Sequence, residues 1–184
     1  MVALTTPVVN IGWNAMDFSL KGTDGKMYSL KNVRGEKGLL VMFICNHCPF
    51  VKAIVDKLVV DVKTMQKNGI GVVAISSNDA VAYPEDSFDN MVKFARKHGF
   101  TFPYVIDETQ AVAHGYGAVC TPDFFGFDAN GALQYRGRFD SAGMTPKPDS
   151  EHDLLKAMLE ISITGKAPPE QIPSIGCNIK WKEA

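Results

Sequence analysis

The chain has 184 residues, of which 46% are hydrophobic and 21% are charged, and its formal net charge is -1. This composition is typical of a soluble globular protein, and the near-zero charge argues against a nucleic-acid-binding face or a membrane-surface patch. No apolar run is long enough to span a bilayer, and residues 1–7 lack the basic start and long apolar core of a secretory signal. We therefore expect a cytoplasmic protein with no nucleic-acid or membrane partner. Its length suits a single domain over residues 1–184, with a core of about 16–165 and a tail of 166–184.

The first part of the chain predicts a hairpin followed by a strand–helix–strand unit. Residues 16–30 form the hairpin, because apolar positions flank the turn signal Asp24-Gly25. Unbroken apolar runs over 38–44 and 70–76 indicate two strands that are buried on both faces. Between them lies an amphipathic helix whose apolar residues recur every three or four positions: Val51, Ile54, Val55, Leu58, Val59 and Val62. Two strands joined in this way are expected to be parallel with a right-handed crossover.

The remaining pattern predicts helices over 89–98, 108–116 and 151–164, strands over 102–107, 119–128 and 133–139, and an extended tail. A polar loop over 77–87 follows the second buried strand, at the sheet edge where open α/β sheets bind ligands. Asn78, Asp79, Tyr83 and Glu85 in this loop are therefore candidate substrate-side residues.

Two cysteines, Cys45 and Cys48, stand where the first buried strand gives way to the helix. Pro49 is tolerated at a helix start because the N–H that it lacks has no partner there. The positive end of the helix dipole favours a thiolate, and cysteines so placed have pKa values lowered from about 8.5 to between about 3.5 and 7.5. We predict that Cys45 is the nucleophile with the lowered pKa and that Cys48 resolves. His47 is expected to tune the thiolate of Cys45 by its charge or by a hydrogen bond.

A Cys-x-x-Cys pair also occurs in zinc sites and in inert cores. Structural zinc usually needs a second Cys or His pair at ligand spacing, whereas Cys120 and Cys177 are single and far apart and the other histidines are scattered. In a cytoplasmic protein, where thiols are kept reduced, such a pair is more often catalytic than structural. We therefore expect a redox pair, with no metal site and no cofactor.

The order of the elements and three motifs resemble the thioredoxin fold with the insertion found in peroxiredoxin-like proteins. The motifs are Cys45-Asn46-His47-Cys48-Pro49, Thr121-Pro122 and the segment 102–107, which is similar to the insertion strand of the alkyl hydroperoxide reductase and thiol-specific antioxidant group. The resemblance implies an α/β thioredoxin fold, a central mixed sheet flanked by helices, with an N-terminal hairpin, the peroxiredoxin-type insertion and an extended C-terminal tail.

The same resemblance implies a substrate-binding role for Thr121 and Pro122. Pro122 is expected to be cis and to pack against the cysteine pair, so that the backbone of Thr121 is exposed to pair with an incoming peptide. The tail over 176–181 also looks similar to that of bacterial redoxins of this type.

The chain departs from its relatives at three informative positions. The buried acid that helps to deprotonate the resolving thiol in thioredoxins falls at Leu39, so proton transfer must use His47 or water. Peroxiredoxins carry a Thr and a Pro ahead of the peroxidatic cysteine, and these positions hold Met42 and Phe43. The first departure argues against a general thioredoxin-like reductase, and the second argues against efficient peroxide reduction of the usual kind.

Two further cysteines leave alternatives open. If Pro122 faces the pair, Cys120 comes close as well, either as an additional redox thiol that forms a disulfide with Cys45 or as a small buried hydrophobe. Cys177 in the tail is either a second resolving thiol or an inert packed cysteine, and the sequence favours the inert reading.

The sequence thus predicts a thiol–disulfide oxidoreductase acting on protein or small-molecule thiols and disulfides, with its electron donor and the direction of electron flow left open. A thiol-dependent peroxidase with antioxidant activity is the alternative enzyme. A copper-binding protein that uses Cys45, Cys48 and either His47 or Cys120 is a third hypothesis, because soft thiolates select Cu(I).

Overall fold

The computed structural model describes residues 2–7 and 10–183. The strands in chain order are β1 (Ala3–Thr5), β2 (Ser19–Gly22), β3 (Met27–Ser29), β4 (Gly38–Phe43), β5 (Ile70–Ser76), β6 (Tyr104–Ile106), β7 (Cys120–Thr121), β8 (Asp123–Phe127), β9 (Leu133–Tyr135) and β10 (Ile175–Asn178). The helices are α1 (Leu30–Val33), α2 (Pro49–Lys67), α3 (Phe88–His98), α4 (Ala111–Tyr116) and α5 (Asp153–Thr164), with a short 3-10 helix over Pro84–Asp86. Within the described residues, no helix is both long and apolar enough to cross a membrane.

A seven-stranded mixed sheet forms the centre of the protein, in the order β3-β2-β6-β5-β4-β8-β9. The predicted pairing of β4 with β5 is confirmed: the two strands are parallel, in register from Gly38 opposite Ile70 to Phe43 opposite Ile75. β6 continues the parallel part, whereas β2, β3, β8 and β9 are antiparallel to their neighbours. Every residue of β4 is buried, because both faces of this central strand are covered.

The two faces of the sheet contact different helices, which makes two apolar cores. Alternate side chains of β4 divide between them, with Leu40 and Met42 on the α2, α3 and α5 side and Val41 and Phe43 on the α4 side. α2 covers the first face with the residues that its periodicity predicts, and it ends at Lys67, followed by Asn68 and a glycine at positive φ. This is the predicted central sheet flanked by helices.

Two elements differ from the sequence expectation. The strand predicted over 119–128 is divided into β7 and β8 by Pro122, whose peptide bond with Thr121 is cis as the resemblance implies. The helix predicted over 108–116 starts only at Ala111, because Gln110 before it adopts a left-handed conformation.

The C-terminal tail forms a strand in a second sheet of three antiparallel strands, β1-β10-β7. Cys177 of β10 lies opposite Thr121 of β7. The expectation that the backbone of Thr121 is exposed for an incoming peptide is therefore wrong: this residue is 2% exposed, and the chain's own tail already pairs with β7. The pairing joins segments that are far apart along the chain, so the local pattern of the tail does not reveal it.

A buried ion pair fixes the chain just after Pro122. Arg136 donates from Nε and Nη2 to the carboxylate of Asp123, at 3.2 and 2.8 Å, and also donates to the carbonyl of Gly117. The guanidinium lies 4.5 Å from the ring centroid of Phe125. Burial raises the pKa of Asp123, and the Arg136 hydrogen bonds oppose this rise. The pair thus joins the start of β8 to the segment that follows β9 and to Gly117.

Replacing Arg136 with Met is expected to lower the free energy of unfolding by about 3–5 kcal/mol, because it leaves the Asp123 carboxylate buried without its partner. The matched control is Arg138→Met, which breaks the half-exposed pair with Asp153 and should cost only about 0–1 kcal/mol. Urea unfolding of both variants measures the difference. Equal losses would contradict the assignment of Arg136 as the structural anchor.

Candidate active site

The two cysteines lie at the carboxyl end of β4 and the amino end of α2. The chain leaves β4 after Phe43, and Cys48 is the N-cap residue of α2 with Pro49 in its first turn. Both side chains are buried, Cys45 at 1% and Cys48 at 0% exposure. The thiols of Cys45 and Cys48 hydrogen-bond to one another. The predicted strand-to-helix turn therefore brings the two sulfur atoms together at the positive end of the helix.

Thr121 contacts both sulfur atoms through different groups. Its hydroxyl lies 3.4 Å from Cys45 Sγ, and its carbonyl oxygen accepts a hydrogen bond from Cys48 Sγ at 3.0 Å. A hydroxyl donor stabilises a thiolate, whereas a carbonyl acceptor holds a proton on a thiol. These two contacts of Thr121 therefore favour an anion on Cys45 and a proton on Cys48.

Asp86 is the carboxylate at the centre of the site, and the sequence reasoning did not single it out. It is 1% exposed, and its Oδ1 accepts the backbone N–H groups of Asn46 and His47 at 2.8 and 3.3 Å. Its Oδ2 faces His47 Nδ1 at 2.6 Å and accepts from Asn78 Nδ2 at 2.8 Å. Four donors therefore converge on one buried carboxylate, which fixes the backbone between the two cysteines.

His47 is oriented by Asp86 rather than by the thiol. Its Nδ1 is 2.6 Å from the carboxylate and 4.0 Å from Cys45 Sγ, so the proton on Nδ1 goes to Asp86. Nε2 is thereby left as the acceptor in the neutral ring. The imidazole stacks on Tyr83 with ring centroids 5.9 Å apart, and its side chain is 14% exposed. The predicted tuning of Cys45 by the charge of His47 or by a hydrogen bond from it stays a prediction: His47 Nδ1 lies 4.0 Å from Cys45 Sγ and makes its closer contact with the Asp86 carboxylate.

Asn46 is a structural residue of the Cys-x-x-Cys loop. Tyr104 donates its hydroxyl proton to Asn46 Oδ1 at 2.8 Å, and Asn46 Nδ2 donates to the carbonyl of Glu85 at 3.0 Å. The side chain is 7% exposed and both of its polar atoms are paired. It joins the loop to β6 and to the turn that carries Asp86, so that the cysteines and the carboxylate keep a fixed relative position.

The proton shared by the two thiols decides their acidity. The hydrogen bond from Cys45 lowers the pKa of Cys48 to about 5, with smaller contributions from Cys177, Thr121 and the backbone N–H of Val51. The same hydrogen bond raises the pKa of Cys45 well above its usual value, and burial and the Asp86 charge add to the rise. The shared proton therefore couples the two thiols, while the Thr121 hydroxyl at Cys45 and the Thr121 carbonyl at Cys48 favour the anion on Cys45; that Cys45 carries the lowered pKa stays a prediction. Together the two thiols lose their first proton more readily than an isolated cysteine and their second less readily.

This coupling predicts a pH dependence of the reduced protein. The folded pair loses a proton near pH 5, whereas an unfolded cysteine keeps it until about pH 8.5. The resulting stabilisation grows as the pH rises from 5 to about 8.5, with a slope of up to about 1.4 kcal/mol per pH unit, and it is lost as the pH falls through 5. Above pH 8.5 the raised pKa of Cys45 reverses the slope, because the unfolded thiol then loses its proton first. We expect thiolate absorbance in the ultraviolet to appear near pH 5 and urea stability to rise over the same range, relative to a Cys48→Ala variant. A pair without thiolate below pH 8 would contradict the coupling.

Cys45, His47 and Asp86 are also the three residues of the described chain whose donor atoms lie close enough to hold a metal, all within 4.8 Å. The carboxylate, however, already accepts four hydrogen bonds, and the contact of 2.6 Å between His47 Nδ1 and Asp86 Oδ2 is a hydrogen-bond distance. The cluster is thus closed by its own hydrogen bonds. The copper hypothesis stays a prediction, which the metal content of protein purified under reducing conditions tests.

The candidate loop residues divide into two kinds. Asn78 is buried and donates to Asp86, while the backbone N–H of Asp79 donates to the carbonyl of Lys180. Glu85 is exposed and contributes its backbone carbonyl. Tyr83, 37% exposed, stacks its ring on that of His47.

A groove of about 350 Å³ opens near the start of α2, and its lining includes neither Cys45 nor Cys48. Pro122 and the first turn of α2, at Phe50, form one wall, and the tail segment before β10 forms the other. Its apolar lining residues include Phe50, Ile54, Pro122, Phe139, Met144, Ile172 and Ile175. The predicted substrate-binding role of Pro122 is compatible with this position, whereas Thr121 lies beneath the tail.

The remaining cysteines differ in their surroundings. Cys120 is fully buried, its thiol donates to the carbonyl of Pro122 at 3.6 Å, and burial raises its pKa far above the usual value. Its predicted redox role stays a prediction. Cys177, by contrast, hydrogen-bonds through its thiol to Cys48. This contact joins the tail to the cysteine pair.

Comparisons with known proteins agree with this fold and site. Residues 11–136 match the AhpC/TSA family. The chain is 30% identical over 129 residues to the thiol-disulfide oxidoreductase ResA of Geobacillus thermodenitrificans, a match that covers 68% of each chain. The crystal structure of an uncharacterized conserved protein from Geobacillus kaustophilus is 41% identical, with a TM-score of 0.94, and covers 100% of this chain and 98% of that one.

A more distant structure identifies the fold. The thioredoxin domain of a thiol-disulfide oxidoreductase from Bacteroides vulgatus superposes with a TM-score of 0.59 at 18% identity, covering 70% of this chain and 88% of that domain. At this identity the likeness concerns the fold alone, which is the thioredoxin fold. Because the family match spans most of the 184 residues and includes the cysteine loop, the chain belongs to the AhpC/TSA family.

Proposed function

We propose that this protein is a thiol–disulfide oxidoreductase in which Cys45 and Cys48 form the redox-active disulfide. The observation that carries the proposal is the hydrogen bond between the two thiols at the amino end of α2. It stabilises one negative charge on the pair, and a thiolate is the form of cysteine that attacks a disulfide. Membership of a family that contains thiol–disulfide oxidoreductases supports the same reaction.

Cys45 is the attacking thiol in this proposal. Cys48 is enclosed by Cys45, Cys177 and the Thr121 carbonyl, whereas Cys45 lies next to His47, which is partly exposed. Transfer of the shared proton from Cys45 to Cys48 produces the reactive form. In that form the Cys48 thiol donates to the Thr121 carbonyl and the Thr121 hydroxyl donates to the Cys45 thiolate.

The reaction then follows from thiol–disulfide exchange. The Cys45 thiolate attacks one sulfur of a substrate disulfide, the substrate S–S bond breaks, and the leaving thiolate takes up a proton. Cys48 loses its proton and attacks Cys45 in the mixed disulfide, which releases the second substrate thiol and forms the Cys45–Cys48 disulfide. Two electrons have passed from the pair to the substrate, and the reverse sequence oxidises a dithiol.

The substrate class is a thiol or disulfide of a peptide or small molecule that lies in the groove beside Pro122. The groove adjoins the head of α2 and is lined mainly by apolar side chains, which suits a hydrophobic segment near the reacting sulfur. The buried edge of Thr121 does not take part in strand pairing with this substrate, because β10 occupies it.

Two measurements test the proposed function. Insulin reduction with dithiothreitol is expected to proceed faster with the protein than with a Cys45→Ser/Cys48→Ser double variant. Equilibration in glutathione buffers gives the reduction potential of the pair, where a value near about -270 mV indicates a reductase and one near about -120 mV an oxidant. A pair that remains reduced in every buffer, together with no acceleration of insulin reduction, would refute the proposal.

A thiol-dependent peroxidase is the second candidate, and the family match favours it. Met42 and Phe43 stand where the peroxiredoxin pattern places Thr and Pro, so we expect peroxide consumption coupled to thioredoxin to be slow. If peroxide turnover exceeds disulfide turnover in parallel assays, the peroxidase becomes the first candidate function and the thiol–disulfide oxidoreductase the second.

A further inference from the structure

The tail strand β10 brings a third cysteine to the redox pair. β10 is antiparallel to β7, with Cys177 opposite Thr121 and Asn178 opposite Cys120. Gly176 packs so closely that a Cβ at this position would lie 2.2 Å from the Thr121 carbonyl oxygen. The strand is therefore held in one register against the segment that contacts both active-site sulfurs.

Cys177 is placed for exchange with Cys48. Its side chain is 2% exposed and lies in the same buried cluster as Cys45 and Cys48. Cys177 lies opposite Thr121 in the sheet, and the Thr121 carbonyl is 3.0 Å from Cys48 Sγ, so the tail brings a third sulfur to the side of Cys48. An interaction with Cys177 also lowers the pKa of Cys48.

We propose that Cys177 is a third redox-active thiol, which attacks Cys48 in the Cys45–Cys48 disulfide and forms a Cys48–Cys177 disulfide. The proposal rests on the proposed function, because that activity forms the disulfide that Cys177 attacks.

The exchange balances without any further reactant. The Cys177 thiol loses its proton, its sulfur attacks Cys48 Sγ, and the Cys45–Cys48 bond breaks. Cys45 leaves as a thiolate and takes up the proton. One disulfide is consumed and one is formed, so the chain keeps the two-electron oxidation that it received from the substrate disulfide.

Cys177 loses its proton more readily when Cys45 and Cys48 are joined in a disulfide than when they are reduced. In the reduced protein the pKa of Cys177 is raised to about 12, chiefly by burial and in addition by the hydrogen bond to Cys48 and the charge of Cys48. Once Cys48 is part of a disulfide, its hydrogen-bond acceptance as a thiolate and its charge disappear, while Lys180, whose charge lowers the pKa of Cys177, remains. Cys177 is therefore more acidic at the stage at which it attacks.

The product has a defined consequence for the site. A Cys48–Cys177 bond ties β10 covalently to the head of α2 and keeps the edge of Thr121 covered. It also returns Cys45 to the thiol form, while the oxidation is stored between two residues that are both buried.

Disulfide mapping tests the proposal. The full-length protein is oxidised in glutathione buffers, its remaining thiols are alkylated, and it is digested with trypsin without reduction. Trypsin places Cys45 and Cys48 in the peptide 38–52 and Cys177 in the peptide 167–180. We expect these two peptides to be cross-linked in a part of the wild-type protein, in which Cys45 is alkylated. In the Cys45→Ser variant we expect the same cross-link in most of the protein.

Matched variants separate a specific bond from general thiol reactivity. Cys177→Ser is expected to abolish the cross-link, and Cys120→Ser, a loss of another buried thiol, is expected to leave it unchanged. Gly176→Val keeps every cysteine but pushes β10 away from Thr121, so it should reduce the cross-link several-fold. Ile175→Val on the same strand, where the side chain is exposed, should not. Circular dichroism and thermal melting show which variants fold.

The outcomes distinguish this proposal from the proposed function. Insulin reduction together with only the Cys45–Cys48 linkage, in the wild type and at every glutathione ratio, would overturn the role of Cys177 and leave the function in place. Absence of the cross-link from a folded Cys45→Ser variant would overturn it as well. A cross-link that depends on Gly176 and Cys177, in a protein that reduces no disulfide, would support the thiol exchange and refute the enzymatic function.

Discussion

A Cys45→Ser variant is expected to lose insulin-reducing activity by at least about a thousandfold, because it removes the sulfur that bonds to the substrate. A serine hydroxyl at this position keeps the contact with Thr121 but is not ionised at neutral pH, so no mixed disulfide forms. The loss should be in turnover, and the fold should be retained, since the exchange of one buried sulfur for oxygen disturbs few contacts.

The Cys48→Ser variant is the informative counterpart. It keeps Cys45 and removes the thiol that resolves the intermediate, so a mixed disulfide between Cys45 and a substrate or glutathione should accumulate. Mass spectrometry of both variants after treatment with oxidised glutathione identifies the modified residue. If the Cys45→Ser variant forms a mixed disulfide on Cys48 and keeps its activity, Cys48 is the attacking thiol and Cys45 the resolving one.

An Asp86→Asn variant is expected to combine lower stability with a more acidic Cys45. The amide retains one acceptor oxygen but presents an NH2 group where the carboxylate now faces two donors, His47 and Asn78. Loss of these charge-assisted hydrogen bonds in a buried site should cost about 2–4 kcal/mol of unfolding free energy. The Asp86 charge raises the pKa of Cys45, so its removal lowers that pKa.

The Asp86→Asn substitution should also change the reduction potential of the cysteine pair. A more stable thiolate stabilises the reduced protein, so the potential of the Cys45–Cys48 pair should rise, by about 30 mV for each pKa unit. Glu85→Gln is the matched control, because it removes an exposed carboxylate from the neighbouring position and should change neither quantity appreciably. Equilibration with glutathione and urea unfolding measure both effects. A potential that falls in Asp86→Asn would show that the carboxylate acts on the pair in the opposite sense.

The local framework of the site could be predicted from the sequence because it depends on short-range patterns. The apolar run before Cys45 and the three- and four-residue spacing after Pro49 specify a buried strand followed by a helix, and the structure has both. The cis peptide bond before Pro122 also agrees with the expectation from the family resemblance. The identity of the more acidic cysteine does not follow from these patterns, because the helix dipole acts on both thiols and their mutual hydrogen bond couples them.

The role of Asp86 could not be predicted from the sequence, for a different reason. It lies in a polar loop without periodicity, and nothing local distinguishes it from Glu85, which is exposed. Its importance comes from burial against a loop 39 residues earlier, where two backbone N–H groups and the His47 ring converge on it. The acid absent at Leu39, where a thioredoxin-like protein carries one, is thus not replaced at that position; a carboxylate from another loop faces the site.

The spacing of apolar residues along a few neighbouring turns was enough to predict the alternation of strands and helices and the turn on which Cys45 and Cys48 lie. The folded chain was needed to show that β10 pairs with β7, that Cys177 contacts Cys48 and that Asp86 anchors His47. Each of these contacts joins segments that are distant along the chain. Their existence depends on how the whole sheet closes, and no short stretch of residues encodes it.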